Sequence, residues 1–319
     1  MTVHDRSDTF VLPRLSCPFP VAISPHLTTV QTGTQQWIAT YEVLSASQMR
    51  HFTRALYGEL AARVYPYARL PLLQLCSDWL AWLFAVDDVI YETDELRTVT
   101  SIPECLQVLS GESSGRSGFG RALADVRTRI AFVATPSQVH RWVAATREYL
   151  LAQTWELATR TSDHVPSLEA YLTMRRLTGA MATVYALIDV AAEAPLDAEL
   201  WSEPMVRSVR HHAINVVAWD NDLISWRKEK NAANGVNNLV AVMAATGGLS
   251  MPDVVDRIIA MREKAVTGVV ELGQLLISRQ EAPLTAFVHG LQAWISGSLA
   301  YSMHSPRYMS DTAPAGDVA

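Results

Sequence analysis

Asn221, Ser225 and Glu229 stand four residues apart within Asn221-Asp222-Leu223-Ile224-Ser225-Trp226-Arg227-Lys228-Glu229. On an α-helix, positions i, i+4 and i+8 drift by only about 40° per step, so an amide oxygen, a hydroxyl and a carboxylate line one face. All three are hard oxygen donors, the type that Mg²⁺ prefers to imidazole or thiolate. Mg²⁺ is seldom caged by protein alone and leans on waters and substrate phosphates. A set carrying one negative charge therefore becomes a good site once a diphosphate completes it. Lys228, beside Glu229, offers that anion a point charge. The same residue types also occur on the polar face of any surface helix, so the spacing needs a second signal.

That signal is Asp87-Asp88-Val89-Ile90-Tyr91-Glu92, at the end of a mostly apolar run from Leu70 to Val86 that contains Trp79, Trp82 and Phe84. Helical spacing puts Asp88 and Glu92 on one face, with Asp87 about 100° round from them. Adjacent like charges at the tip of an apolar helix repel, and burying them unpaired is costly. The macrodipole also disfavours anions at that end. A divalent cation would neutralise the cluster; the alternative is a solvated acidic helix end.

Helices must position both clusters. Ser45-Ala46-Ser47-Gln48 reads as a capping box opening a helix to about Val64, and the next helix runs from Leu70 to Tyr91. Residues 111–118 read as a loop, followed by helices over Phe119–Val133 and, from the Thr135-Pro136-Ser137-Gln138 cap, to about Arg160. Pro166-Ser167 opens one ending near Ala194. Pro195 and Pro204 bracket the start of the helix carrying Asn221. A short helix spans Gly235 to Ala245, Ser250 caps one to about Ser278, and Pro283 starts the last, to about Tyr301. No run alternates like a strand, and no linker divides the chain. The prediction is a single all-α domain over 31–308, preceded by a proline-punctuated extended segment, 1–30, lying across the body, with a disordered tail over 309–319.

Composition narrows the function. Hydrophobic residues make up 49% of the chain, and nine tryptophans imply much buried aromatic surface. A net charge of −6 offers no broad attraction to nucleic acid or an anionic membrane, so a bound anion must be held by local cations and metal. Cys17, Cys76 and Cys105 are scattered, without metal-ligand spacing, as in a reducing cytosol. Neither a signal peptide nor a membrane span is visible. The reading is a cytoplasmic protein with no membrane insertion and no nucleic-acid partner.

The two clusters together resemble the aspartate-rich motif, here DDxxxE, and the Asn-Ser-Glu triad, here NDxxSxxKE, of bacterial class I terpene synthases. Other positions match in order. Arg175 in Tyr171-Leu172-Thr173-Met174-Arg175-Arg176 lies 46 residues before Asn221, where the family carries its diphosphate-sensing arginine. Ser305-Pro306-Arg307-Tyr308 resembles the terminal Arg-Tyr pair, and Pro18-Phe19-Pro20 the proline-rich entry segment. One departure is Tyr301, where many bacterial relatives carry Trp. The resemblance implies a helical bundle around a deep apolar cavity, and a carbon–oxygen lyase that ionises an isoprenyl diphosphate and cyclises the carbocation.

Farnesyl diphosphate, giving a sesquiterpene hydrocarbon or alcohol, is the expected substrate, and geranylgeranyl diphosphate, giving a diterpene, the alternative. The resemblance further implies three Mg²⁺ ions. Asp87 would bind two of them, and Asn221, Ser225 and Glu229 the third; Asp88 and Glu92 would ligate or anchor an arginine. Arg175, Lys228, Arg307 and Tyr308 would hydrogen-bond the diphosphate. Phe84 and Trp294 would face the carbocation, each such contact contributing roughly 0.5–2 kcal/mol, and the Gly179 carbonyl would stabilise the first cation. A homodimer is allowed by analogy. A chain-elongating prenyltransferase would need a second aspartate-rich motif, and a non-catalytic isoprenoid-binding helical protein would be expected to have lost ligands.

Overall fold

Residues 10–91, 94–162, 165–230, 237–245 and 248–308 are described by the computed structural model, and among them there are helices and loops but no strand. Helix α1 (Leu27–Thr40) opens without a side-chain cap, which is why sequence signals miss it and run the extended segment on to residue 30. Helix α2 (Ala46–Ala55) has the expected capping box: Ser45 Oγ accepts from the Gln48 N–H, and Gln48 Oε1 from that of Ser45 at 2.9 Å. It does not continue to Val64. Leu56 takes a left-handed conformation, φ 60°, and the chain resumes as α3 (Tyr57–Val64). The break turns the Ala55 carbonyl outward, where it accepts from the Tyr301 hydroxyl at 2.5 Å and from Ser305 Oγ at 3.3 Å.

Helix α3 is held at close range on two sides. A Cβ on Gly58 would lie 2.4 Å from the Gln31 Cα of α1, and one on Gly297 2.5 Å from the Arg63 carbonyl oxygen, so only glycine permits either approach. Helix α4 (Leu70–Val86) is buried almost all round, with Trp79 stacked on Trp82 at 5.2 Å and edge-on to Trp142 at 5.0 Å. It does not run as α-helix to Tyr91, because Asp87–Tyr91 form a π-helical turn. Helix α5 (Glu95–Ser110) is capped by Asp94 and carries Pro103 inside it, a breaker that hides it from sequence reading.

Helices α6 (Gly118–Val133) and α7 (Pro136–Thr161) match expectation, the latter with the Thr135–Gln138 capping box. The helix expected from Pro166 to Ala194 is three: α8 (Leu168–Thr178), α9 (Met181–Tyr185) and α10 (Ile188–Ala191), the first break marked by Ala180 at φ 56°. Helix α11 (Ala198–Ser202) precedes α12 (Pro204–Glu229), which packs along α14 (Met251–Ser278) and α15 (Ala282–Ser302). Helix α13 (Leu239–Ala245) begins after Gly235, which lies with residues 231–236 outside the described residues.

The helices enclose one contiguous hydrophobic core, and no described helix is long and apolar enough to cross a membrane. Residues 10–24 carry no helix. Phe10 and Phe19 are buried, the Ser16 carbonyl accepts from Arg262 Nη1 at 2.7 Å, and that of Pro20 from Ser296 Oγ at 2.8 Å. The expected tail, 309–319, lies outside the described residues. Between α1, α4 and α6 sits a closed polar cluster: the Asp78 carboxylate accepts from Arg129 Nη1 and Gln74 Nε2, both at 2.8 Å, and from Thr34 Oγ1 at 3.1 Å.

Candidate active site

The C-terminal turns of α12 hold the first wall of the site. Asn221, Ser225 and Glu229 fall on unbroken α-helix and line one cavity, together with Lys228 at its exposed end. Each side chain has a defined environment. The Asn221 amide lies between two residues from elsewhere: its Oδ1 accepts from Arg175 Nη2 at 2.9 Å, and its Nδ2 donates to the Tyr308 hydroxyl at 3.0 Å. Ser225 Oγ is buried and has no hydrogen-bond partner. Glu229 Oε2 accepts from Asn238 Nδ2 at 3.0 Å.

Behind this wall Asp222 acts as a buried hub, which sequence reading missed. Its carboxylate accepts from the Tyr171 hydroxyl at 2.6 Å, from Arg175 Nε at 3.0 Å and from the Leu239 N–H at 3.2 Å. Burial opposes the charge on Arg175, but Asp222 reverses this and raises its pKa above the ordinary value, so the cation persists at the cavity edge. Asn238 was also missed. Its Nδ2 serves both the Asp222 carbonyl, at 2.9 Å, and Glu229, while its Oδ1 accepts from the Val240 N–H at 2.9 Å. A buried side chain with every polar atom used is a positional device. The clue in the sequence was the adjacent pair Asn237-Asn238 at the start of α13.

The second wall is the π turn. Asp87 lines the cavity; Asp88 does not. Both Asp88 oxygens are taken by Arg307, Nη1 to Oδ2 at 2.8 Å and Nη2 to Oδ1 at 2.9 Å, a bidentate pair. The shared face expected for Asp88 and Glu92 assumed α-helical spacing, whereas Asp87–Tyr91 form a π turn; Glu92 itself lies outside the described residues. Burial disfavours the Arg307 charge, but Tyr57 and Asp88 raise its pKa well above the ordinary value.

Phe84, Asp87, Arg175, Gly179, Asn221, Ser225, Lys228, Glu229, Trp294, Arg307 and Tyr308 all line this cavity, and so does Glu156, an acidic residue that sequence reading did not single out. Its buried end is apolar, formed by Leu60, Leu80, Leu83, Met181, Val184 and Trp294. Trp294 stands edge-on to Tyr65 at 5.5 Å and to Tyr185 at 5.7 Å, so two further aromatic rings back the one that lines that end. Phe84 is only half-buried, and its ring already carries the Arg307 guanidinium at 4.7 Å. Gly179 caps α8 where the helix breaks, its N–H bonded to the Arg175 carbonyl at 3.1 Å. Tyr301 also lines the cavity, anchored through the Ala55 carbonyl.

The donor set suits a hard cation. Among the described residues no group of three or more His, Cys, Asp and Glu side chains could hold a metal. What exists is a mixed oxygen set, amide, hydroxyl and carboxylate, facing Asp87 in the same cavity. A buried hydroxyl without a partner is costly unless a further ligand uses it, and Ser225 Oγ sits where such a ligand would bind.

Residues 78–267 match the family described as terpene synthase family 2, C-terminal metal binding. The chain is 41% identical to the 4-epi-cubebol synthase ((2E,6E)-farnesyl diphosphate cyclizing) of Streptosporangium roseum, covering 96% of this chain and 95% of that protein. It is 33% identical to the (+)-T-muurolol synthase ((2E,6E)-farnesyl diphosphate cyclizing) of Roseiflexus castenholzii, covering 92% and 93%. Among solved structures, the SVS_A2 protein from ancestral sequence reconstruction superposes with a TM-score of 0.85 at 25% identity, over 95% of this chain and 93% of that one. Hedycaryol synthase in complex with nerolidol shares the fold, with a TM-score of 0.79 at 22% identity over 92% and 100%.

Proposed function

The chain belongs to the bacterial class I terpene synthases, and we propose that it ionises farnesyl diphosphate and cyclises the resulting cation to a sesquiterpene hydrocarbon or alcohol, releasing diphosphate. The observation that carries this reading is the pairing, in one cavity, of an oxygen-donor rim flanked by arginines with an apolar, aromatic buried end. The two relatives cited above are both named as farnesyl diphosphate cyclising, which supports the C15 substrate.

Asn221, Ser225 and Glu229 on one wall and Asp87 on the other would hold Mg²⁺, three ions by family analogy, with Asn238 fixing the Glu229 carboxylate. When bound, the ions supply neutralisation of the charge that develops on the departing diphosphate. The remaining work belongs to the protein. Arg175, Lys228 and Arg307 present cations to the same oxygens, and Tyr308 presents a hydroxyl. Asp88 acts by holding Arg307, and Asp222 by holding Arg175. Leu60, Leu80, Leu83 and Trp294 keep water from the cation and shape the folded chain. The Trp294 ring faces the cation with its π electrons, while Phe84, shared with Arg307, contributes at the rim.

The test is incubation of purified protein with geranyl, farnesyl or geranylgeranyl diphosphate, each with Mg²⁺ and each with EDTA, analysed by gas chromatography–mass spectrometry. The expected result is a cyclic C15 product with farnesyl diphosphate only, abolished by EDTA. A cyclic C20 product would move the assignment to diterpene synthesis, and intact diphosphates throughout would overturn catalysis.

A further inference from the structure

Tyr57 belongs to neither metal-binding wall, yet it touches both side chains on which the second wall depends. It is the first residue after the left-handed Leu56 and is 1% exposed. Its hydroxyl accepts from Arg307 Nη1 at 2.7 Å and donates to Asp88 Oδ2 at 3.4 Å, so it joins the bidentate Arg307–Asp88 pair as a third member. Its ring stacks on Phe84 with centroids 4.4 Å apart and planes at 14°, and the Arg307 guanidinium carbon lies 5.9 Å from the Tyr57 centroid and 4.7 Å from that of Phe84. Phe52 packs on it at 4.9 Å. The backbone is pinned as well, because the neighbouring Ala55 carbonyl takes the Tyr301 and Ser305 hydroxyls from the segment that delivers Arg307.

We propose that Tyr57 is a positioning residue with two separable outputs: its hydroxyl aims the Arg307 guanidinium at the diphosphate, and its ring sets the orientation of Phe84 at the cavity edge. The inference rests on the reading of Arg307 and Phe84 given above. The chemistry explains why tyrosine is needed. Phenylalanine would keep the stack but leave a buried guanidinium N–H one acceptor short, and an aliphatic residue would lose both. A residue that merely filled the core would be coupled to neither diphosphate affinity nor product identity.

Two variants separate the outputs. Tyr57→Phe is expected to weaken binding of inorganic diphosphate in the presence of Mg²⁺, measured by calorimetry, by roughly tenfold, the loss typical of one hydrogen bond to a charged group. It should raise KM in parallel while leaving the ratio of terpene products as in the wild type. Tyr57→Leu is expected to show the same diphosphate loss and, in addition, a product mixture shifted toward acyclic and early-quenched compounds. Diphosphate binding by Tyr57→Phe within twofold of wild type would overturn the first output. An unchanged product ratio in Tyr57→Leu would overturn the second, and if that variant does not fold, Phe84→Leu compared with Tyr57→Phe reads the same stack from its other side. Because diphosphate binding is measured without turnover, a protein inactive on every prenyl diphosphate would defeat the catalytic reading and still leave the Tyr57–Arg307 coupling open to measurement.

Discussion

Among the carboxylate–arginine networks of this bundle, the cluster around Asp78 and the pairs at the cavity rim serve opposite ends. In the closed cluster between α1, α4 and α6, Asp78 is surrounded by donors, and its arginine, Arg129, also pairs with Asp125 and lies 5.6 Å over the Trp37 ring. Nothing in that cluster lines the cavity. At the cavity rim, Asp222 and Asp88 hold Arg175 and Arg307 just as firmly, but each arginine also lines the cavity, so the carboxylate fixes a cation that remains available to a ligand. The ingredients are the same. What separates scaffold from site is position: Arg129 is 32% exposed but lies away from the cavity, whereas Arg175 and Arg307 line a space that an anion can enter.

Substitutions should therefore divide cleanly between stability and activity. The largest effect is expected from Asp78→Ala, which strands the donors of the closed cluster and should lower unfolding free energy in urea by ~3–5 kcal/mol, with turnover per folded molecule unchanged within a few-fold. Asn221→Ala should do the reverse. Turnover of farnesyl diphosphate should fall by roughly 10²–10³-fold while the thermal midpoint moves by no more than about a few degrees, and unchanged turnover would remove Asn221 from the metal site. Asn238→Ala tests whether the rim has its own support. The Mg²⁺ concentration giving half-maximal rate should rise by roughly 10- to 100-fold, as for loss of a residue that orients a ligand.

The smallest predicted effect is one of pH. Burial, only partly offset by Arg129, Gln74 and Thr34, pushes the Asp78 carboxyl up to about 6. Its folded value lies above its unfolded one, so the folded state takes up the proton first. The contribution to stability grows as pH falls through 6, is complete below about 4, and is lost as pH rises above 6. Between pH 7 and pH 5 the wild type should gain about 1 kcal/mol relative to Asp78→Asn in paired denaturant titrations. A parallel dependence in the two proteins would mean that the closed cluster does not titrate there.

How far the sequence could be read depended on regular helix. The α12 triad was legible because α12 is unbroken from Pro204 to Glu229, so i, i+4 and i+8 kept their meaning. The aspartate cluster was legible in composition but less so in geometry, because a π turn replaces the α-helical step at Asp87; Asp87 lines the cavity, whereas Asp88 is held by Arg307. The breaks at Leu56 and Ala180 fall at non-glycine residues with positive φ, conformations that tertiary contacts impose and local propensity does not announce. Tyr57, Asp222 and Asn238 were missed for the same reason. Their roles lie in partners 250, 47 and 9 residues away, which no spacing rule connects.

The segment around Ser16 and Pro20 has a kinetic consequence. Its carbonyls are satisfied by Arg262 and Ser296, 246 and 276 residues further along the chain. During synthesis at roughly 5–20 residues per second, those early carbonyls wait at least about ten seconds before their partners exist. Closing so large a loop is entropically late, so this strap should be among the last contacts made and among the first to open in native-state hydrogen exchange. Arg262, whose guanidinium is shared between Asp220 and the strap, would report that opening before the rest of the bundle loosens.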